Sequence, residues 1–334
     1  MVYLLLFIFM MSCVCTWGVR RVALARQSMM DIPNHRSSHT LPTPRGGGVA
    51  FILVLCGALP FLNHLGFVIM PVGAALLGAG LFVALLGFFD DFRDVPPSIR
   101  LLGHFGASVF ALYCLGGMSS LSVFGWVLSQ GVILNILTVI YLMWLLNLYN
   151  FMDGIDGLAA MEAFCVSLGG ALLYVLHGDY AFVGVPLALS ASVLGFLWWN
   201  FPPARIFMGD AGSGFLGLIF GILSIQAAKV GSQFFWGWLI LLGVFIADAT
   251  ITLFNRLLQG EKPFQAHRDH AYQHAARQFN SHFKVTMAVF IINVVWLWSL
   301  ACLVVFKYID GGIGFIIAYL PLIVLTRKFK SGKS

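Results

Sequence analysis

Long apolar stretches alternate with short polar ones along the whole chain. The apolar runs fall near residues 1–19, 46–63, 67–89, 100–118, 130–149, 157–176, 181–199, 212–228, 234–255, 285–306 and 312–326. A hydrocarbon core about 30 Å thick takes roughly 20 residues of α-helix, so the pattern predicts about eleven transmembrane helices. The first run has no basic start and no small-residue cleavage site, and it reads as a retained helix rather than a signal peptide. No internal repeat divides the chain. The expected fold class is an all-α polytopic membrane protein, with residues 1–334 forming one integral membrane domain.

Composition sharpens this. Hydrophobic residues make up 60% and charged residues 10% of the chain, and mean hydropathy is +0.92. A soluble domain carries about 25% charged residues, so a soluble enzyme, a disordered chain and a nucleic-acid-binding domain are all excluded. The net charge of +6 therefore has to be read by position. With eleven spans, every one of the 19 Lys and Arg residues except Lys229 and Lys307 falls in one set of loops or at their edges. The positive-inside rule makes that side cytoplasmic, with the N-terminus outside and the C-terminus inside. The six cysteines lie in apolar runs without metal or disulfide spacing and read as buried free thiols.

The acids share that side. Of the 13 Asp and Glu residues, only Asp179 and Asp310 fall opposite, and Glu162 and Asp248 lie within helices. Acids contribute little to orientation, so this surplus asks for a chemical explanation. It is spread over five loops that a helix bundle can gather around one cleft.

The first loop, with Asp31, Asn34, Arg36, His39 and Arg45, ends in Gly46-Gly47-Gly48. Its glycines can let backbone amides approach an anion at a helix N-terminus, or simply form a turn among topology-setting charges. The second is Asp90-Asp91-Phe92-Arg93-Asp94. Three carboxylates in five residues suit a hard cation such as Mg²⁺ or a general base of raised pKa; solvated acids are the alternative. In the third, Asn147, Asn150, Asp153 and Asp156 recur every three residues, with Gly154 and Gly157 leaving room for a ligand near the backbone.

The fourth loop places Phe207 and Asp210 before the helix start Gly212-Ser213-Gly214. A metal and a diphosphate can meet there, with Phe207 stacking on a base; Asp210 as an N-cap is the plainer reading. The fifth carries His267-Arg268-Asp269-His270 and, one turn on, His274. A phosphate clamp suits it better than zinc, since Arg binds phosphate bidentately. Asp248 and Glu162, inside helices, point to a cavity or to a partner, with Arg256 the nearest candidate for Asp248.

A secondary transporter keeps its polar residues near the bilayer midplane, whereas these helix centres are nearly clean. Membrane phosphoryl transfer is the better reading, with transport of a phosphorylated or nucleotide-linked solute as the alternative.

Taken together, Asp90-Asp91-x-x-Asp94, Asn150-Phe-Met-Asp153-Gly-Ile-Asp156-Gly, Phe207-Met-Gly-Asp210-x-Gly-Ser and the late His/Arg loop resemble the polyprenyl-phosphate N-acetylhexosamine-1-phosphate transferase family. The Pro-Arg45-Gly46-Gly47-Gly48 segment and the absence of a run of consecutive histidines look like its O-antigen-initiating branch rather than its peptidoglycan branch. The resemblance implies a Mg²⁺-dependent enzyme (Mn²⁺ as a substitute) of the bacterial inner membrane; homodimers occur in the family. Its active site would lie in the cytoplasmic loops, and its partners would be undecaprenyl phosphate, a UDP-N-acetylamino sugar and membrane lipid, with no nucleic acid. By motif position, Asn150 and Asp210 would hold the metal. Asp90 and Asp91 would position or deprotonate the lipid phosphate, and Asp153 would support the phosphate centre. Asp156 and Phe207 would contact uracil, and Arg268 with His270 would bind phosphate; Asn147, Arg45 and His267 would complete the substrate-binding set.

Overall fold

A computed structural model of the protein describes residues 1–26, 29–32, 42–93, 95–261 and 268–331. His267, Asp94, Asn34, Arg36 and His39 lie outside the described residues. In chain order the helices are α1 (Val2–Arg26), α2 (Gly48–His64), α3 (Met70–Phe92), α4 (Pro97–Leu115), α5 (Val132–Phe151), α6 (Leu158–His177) and α7 (Gly184–Asn200). There follow α8 (Asp210–Val230), α9 (Ser232–Leu241), α10 (Gly243–Leu258), α11 (Ala271–Phe279), α12 (His282–Val305) and α13 (Gly311–Ser331). Two short antiparallel ribbons complete the structure: β1 (Met30–Asp31) with β2 (Thr43–Pro44), and β3 (Leu121–Val123) with β4 (Trp126–Leu128).

Every apolar run of the sequence has become helix. Among the described residues nine helices are long and apolar enough to cross a membrane, and α9 with α10 form a tenth span bent by 71°. The sequence reads 234–255 as one straight helix; the chain instead breaks at Leu242, between Leu241 and Gly243. The second run forms α2, which is shorter than the other spans. The polar stretch after Glu261 also contains a short helix, α11, that the hydrophobic pattern does not show.

The bundle is built around α8, whose membrane-length window is fully buried, whereas that of α1 is 17% buried. Helices α2, α3, α5 and α9 pack on α8. The outer surface is apolar: Tyr113 is 81% exposed, Ile133 78% and Trp198 67%. A surface of this kind suits lipid and not water, and the chain is a multi-pass membrane protein. All six cysteines are free thiols. The described residues of the connections α1–α2, α3–α4, α5–α6, α7–α8 and α10–α11 lie at one end of the bundle.

Candidate active site

The first and fourth loops are stitched together by their backbones. Phe207 N–H donates to Pro44 O (2.8 Å), Gly47 N–H to Phe207 O (2.9 Å) and Gly48 N–H to Met208 O (2.9 Å). The Gly47 and Gly48 amides are thereby committed to carbonyls, which corrects the expectation that they approach an anion. What the stitching does is bring Arg45 over the start of α8. Its Nε lies 2.9 Å from Asp91 Oδ1 and its Nη2 2.5 Å from Asp210 Oδ1.

Asp91 has a different place from the one its motif implied. Its side chain is 2% exposed, and its oxygens accept the amides of Asp210 (3.0 Å) and Ala211 (3.4 Å). Asp91, not Asp210, therefore satisfies the first amides of α8. This needs close contact between α3 and α8: a Cβ on Gly87 would lie 2.5 Å from Asp210 O.

Asp90, next along the same helix end, points elsewhere. It accepts Val95 N–H (2.9 Å) and pairs with Arg100 Nη1 at 2.6 Å. With Arg100, Asn147, Asn150 and Asp210 it lines a cavity of about 70 Å³, whose other wall includes Val83, Leu86, Leu101 and Leu146. The structure thus joins Asp90, Asn147, Asn150 and Asp210 in one pocket with a polar floor and an apolar flank. Asn150 hydrogen-bonds both Asp210 and Ser213 Oγ (3.2 Å). Asn147 donates to Met143 O within its own helix (2.7 Å).

Asp153 lies in the turn after α5. Burial pushes its carboxyl up to about 7, and the charges of Asp210, Asp91 and Asp156 add to this against the opposing pull of Arg45. Burial also works against the charge of Arg45, but Asp210, Asp91, Asp31 and Asp153 outweigh it and hold the guanidinium firmly protonated. The cluster is a set of like charges with one shared cation.

Asp156 faces another cavity. It accepts Ala204 N–H (3.0 Å) and meets His282 Nδ1 at 3.3 Å. With Arg268, Gln273, Arg277 and Asn280 it lines an open, polar cavity of about 480 Å³. Arg268 lines this cavity. His270 does not: its side chain is 4% exposed, 3.4 Å from Asp248 Oδ1, and stacked on the Tyr272 ring. An imidazole buried this way faces protein rather than a bound phosphate. Phe207 is half-buried, held by the backbone bonds on either side of it.

Several contributors are invisible in the motifs. Arg100 reads as a topology marker and turns out to be the partner of Asp90. Asn200 links the third and fourth loops, accepting Gly157 N–H (3.1 Å) and donating to Ile206 O (2.9 Å). Glu162 is fully buried and accepts Asn293 Nδ2 at 2.6 Å, so it has a structural partner within the bundle. Arg256 pairs with Asp269 and Glu261 instead of Asp248.

Oxygen donors dominate this cluster. Among the described residues no three His, Cys, Asp or Glu side chains are arranged to hold a metal. Mg²⁺ needs less from protein, since one or two carboxylates with substrate phosphates and water complete its shell. Asp210, 23% exposed and hydrogen-bonded by Asn150, fits that requirement.

Comparisons with known proteins converge. The glycosyl transferase family 4 pattern matches residues 74–228, which span α3 to α8 and most of the acidic cluster. The chain is 30% identical over 310 residues to the decaprenyl-phosphate N-acetylglucosaminephosphotransferase of Mycobacterium leprae (strain TN), covering 82% of this chain and 76% of that protein. It is 29% identical over 293 residues to a probable undecaprenyl-phosphate N-acetylglucosaminyl 1-phosphate transferase of Bacillus subtilis (strain 168), covering 83% and 78%. It is also 30% identical over 257 residues to the phospho-N-acetylmuramoyl-pentapeptide-transferase of Synechococcus sp. (strain RCC307), covering 71% and 68%.

Proposed function

Because the chain belongs to the polyprenyl-phosphate hexosamine-1-phosphate transferase family, we propose that it transfers an N-acetylamino-sugar 1-phosphate from a UDP-sugar to undecaprenyl phosphate. UMP leaves, and the lipid-linked sugar diphosphate starts a glycan. N-acetylglucosamine, named in two of the relatives above, is the first donor sugar to test. The reaction takes place at the cytoplasmic face of the bacterial inner membrane, the side that carries the basic loops.

The observation that carries this reading is the pocket shared by Asp90, Asn150 and Asp210, polar on one side and apolar on the other. A phosphate on a hydrocarbon tail needs that combination. In the reaction an oxygen of the lipid phosphate attacks the sugar-side phosphorus of the donor. The bond between that phosphorus and the bridging oxygen breaks, and the oxygen departs with UMP. Asp90 takes the proton that a monoanionic lipid phosphate still carries, while Arg100 fixes the carboxylate and offsets its charge. Asp210 and Asn150 would hold Mg²⁺ or Mn²⁺, which would supply Lewis-acid stabilisation of the charge developing on the leaving group. Arg45 restrains Asp210 and Asp91 in register. Asp156 and Phe207 contact the uracil, and Arg268 binds donor phosphate from the larger cavity.

The test is incorporation of labelled sugar. Purified protein given undecaprenyl phosphate, Mg²⁺ and UDP-N-acetyl[¹⁴C]glucosamine should form butanol-soluble label that EDTA abolishes, and Asp210→Asn should lack it while remaining folded. Folded protein that labels no lipid from any UDP-N-acetylamino sugar would overturn the reading.

A further inference from the structure

Helix α10 presents Asp248, Thr252 and Arg256 at four-residue intervals, which places them on one stripe. All three are buried, at 5%, 0% and 7% exposure. The stripe faces the chain that enters α11. Asp248 Oδ1 accepts Ala271 N–H and its Oδ2 accepts Tyr272 N–H, both at 3.0 Å. Thr252 Oγ1 donates to Asp248 Oδ1 at 3.0 Å, and Arg256 pairs with Asp269. A carboxylate with both oxygens on the first amides of a helix is a charged cap, favoured by the dipole as well as by hydrogen bonds. Here the cap comes from a membrane helix 23 residues away.

The capped segment then touches both halves of the site. Tyr272 Oη donates to Phe151 O at 3.0 Å, next to Asn150 and two residues before Asp153. Gly154 lets that hydroxyl in, for a Cβ there would overlap Tyr272 Oη. On its other side the segment supplies Arg268 and Gln273 to the cavity beside Asp156. A shift at the start of α11 therefore moves Arg268 relative to Asp153 and Asp156.

We propose that Asp248 is a positioning residue: its carboxylate seats α11 so that Arg268 faces the donor cavity at the correct distance from the acidic cluster. This rests on the transferase reading, in which that cavity receives the UDP-sugar. Asp248 is buried behind the start of α11, so its effect passes through Arg268 and the Asp153 turn.

The test is UDP binding to the detergent-solubilised full chain with Mg²⁺, together with KM for each substrate. Asp248→Asn keeps the shape but turns an amide toward backbone donors. Misplacing a binding group by about 1 Å costs up to about a hundredfold. Weaker UDP binding by about tenfold or more is therefore expected, with a matching rise in the UDP-sugar KM and an unchanged KM for undecaprenyl phosphate. In the Arg268→Ala background, Asp248→Asn should add less loss of UDP affinity than it causes alone, because Arg268 is the binding group it positions. Unchanged UDP affinity in folded Asp248→Asn, or an equal rise in both KM values, overturns the proposal. If Asp248→Asn fails to fold, Thr252→Val decides, with a smaller weakening of UDP binding expected and none contradicting it. Wild-type protein that binds no UDP would refute the transferase reading instead.

Discussion

Arg100 Nη1 lies 2.6 Å from Asp90 Oδ2, while the adjacent Asp91 is held by Arg45 at 2.9 Å and by two amides of α8. Two neighbouring aspartates thus belong to different parts of the molecule. Asp90 opens onto the small pocket; Asp91 is part of the frame that starts α8.

Their variants should separate accordingly. Asp90→Asn weakens the pair with Arg100 and should lower thermal stability in detergent modestly, while lowering kcat at least a hundredfold, within the range for loss of a positioned acid–base group. Asp91→Asn takes an acceptor away from the buried amides that start α8, at a cost of about 1–3 kcal/mol. Its melting temperature should fall measurably before any kinetic effect is considered.

Asp153 sets a pH dependence. Its carboxyl is raised to about 7, so the folded protein holds this proton more tightly than an open chain does. Stability from this group is therefore greatest in acid and declines as pH rises toward about 7. Activity should run the other way, rising through about pH 7 if the charged form supports the phosphate centre. Asp153→Asn is expected to melt higher than wild type at pH 8, to match it more closely at pH 5, and to lack the acidic limb of the rate profile.

Removal of Arg45 should expose the repulsion it now offsets. Arg45→Ala leaves Asp91, Asp153 and Asp210 without their shared cation, so thermal stability should drop at low ionic strength and pH 8. Millimolar Mg²⁺ should restore much of it, because a cation bound only to the folded state stabilises by mass action. Equal melting temperatures for the variant with Mg²⁺ and with EDTA would contradict a cation site at Asp210.

Gly154 serves Tyr272. Gly154→Ala places a methyl on the tyrosine hydroxyl and should lower activity about tenfold or more, as expected when a binding segment is displaced. Tyr272→Phe in the same chain removes the colliding atom and should recover part of the loss. A single Gly154→Ala variant with wild-type kinetics would show that the contact does not position α11.

Much of the fold was legible because bilayer thickness imposes one length on every helix. Runs such as 130–149 and 157–176 needed no tertiary information, and they became Val132–Phe151 and Leu158–His177. The break at Leu242 was not legible: apolar residues continue through it, and only packing against the rest of the bundle decides where the helix bends. In the site, the oxygen-rich cluster could be found from charge patterning, since acids at one membrane face have no topological cause. Individual roles could not. Whether a carboxylate caps a helix, as Asp91 and Asp248 do, or faces a cavity, as Asp90 and Asp156 do, depends on which distant backbone arrives beside it. The Arg45 glycines show the same limit, their amides being committed to Phe207 and Met208 by a contact between loops over 150 residues apart.

The most direct test follows the sugar-side phosphorus. UDP-N-acetylglucosamine labelled with ³²P at that phosphorus would be incubated with purified protein, Mg²⁺ and undecaprenyl phosphate. Label should pass into the lipid in equal amount to unlabelled UMP, and neither should form without the acceptor. Label recovered as sugar phosphate or inorganic phosphate without acceptor, or unchanged donor carried across a proteoliposome membrane, would contradict a phosphoryl transfer between donor and lipid.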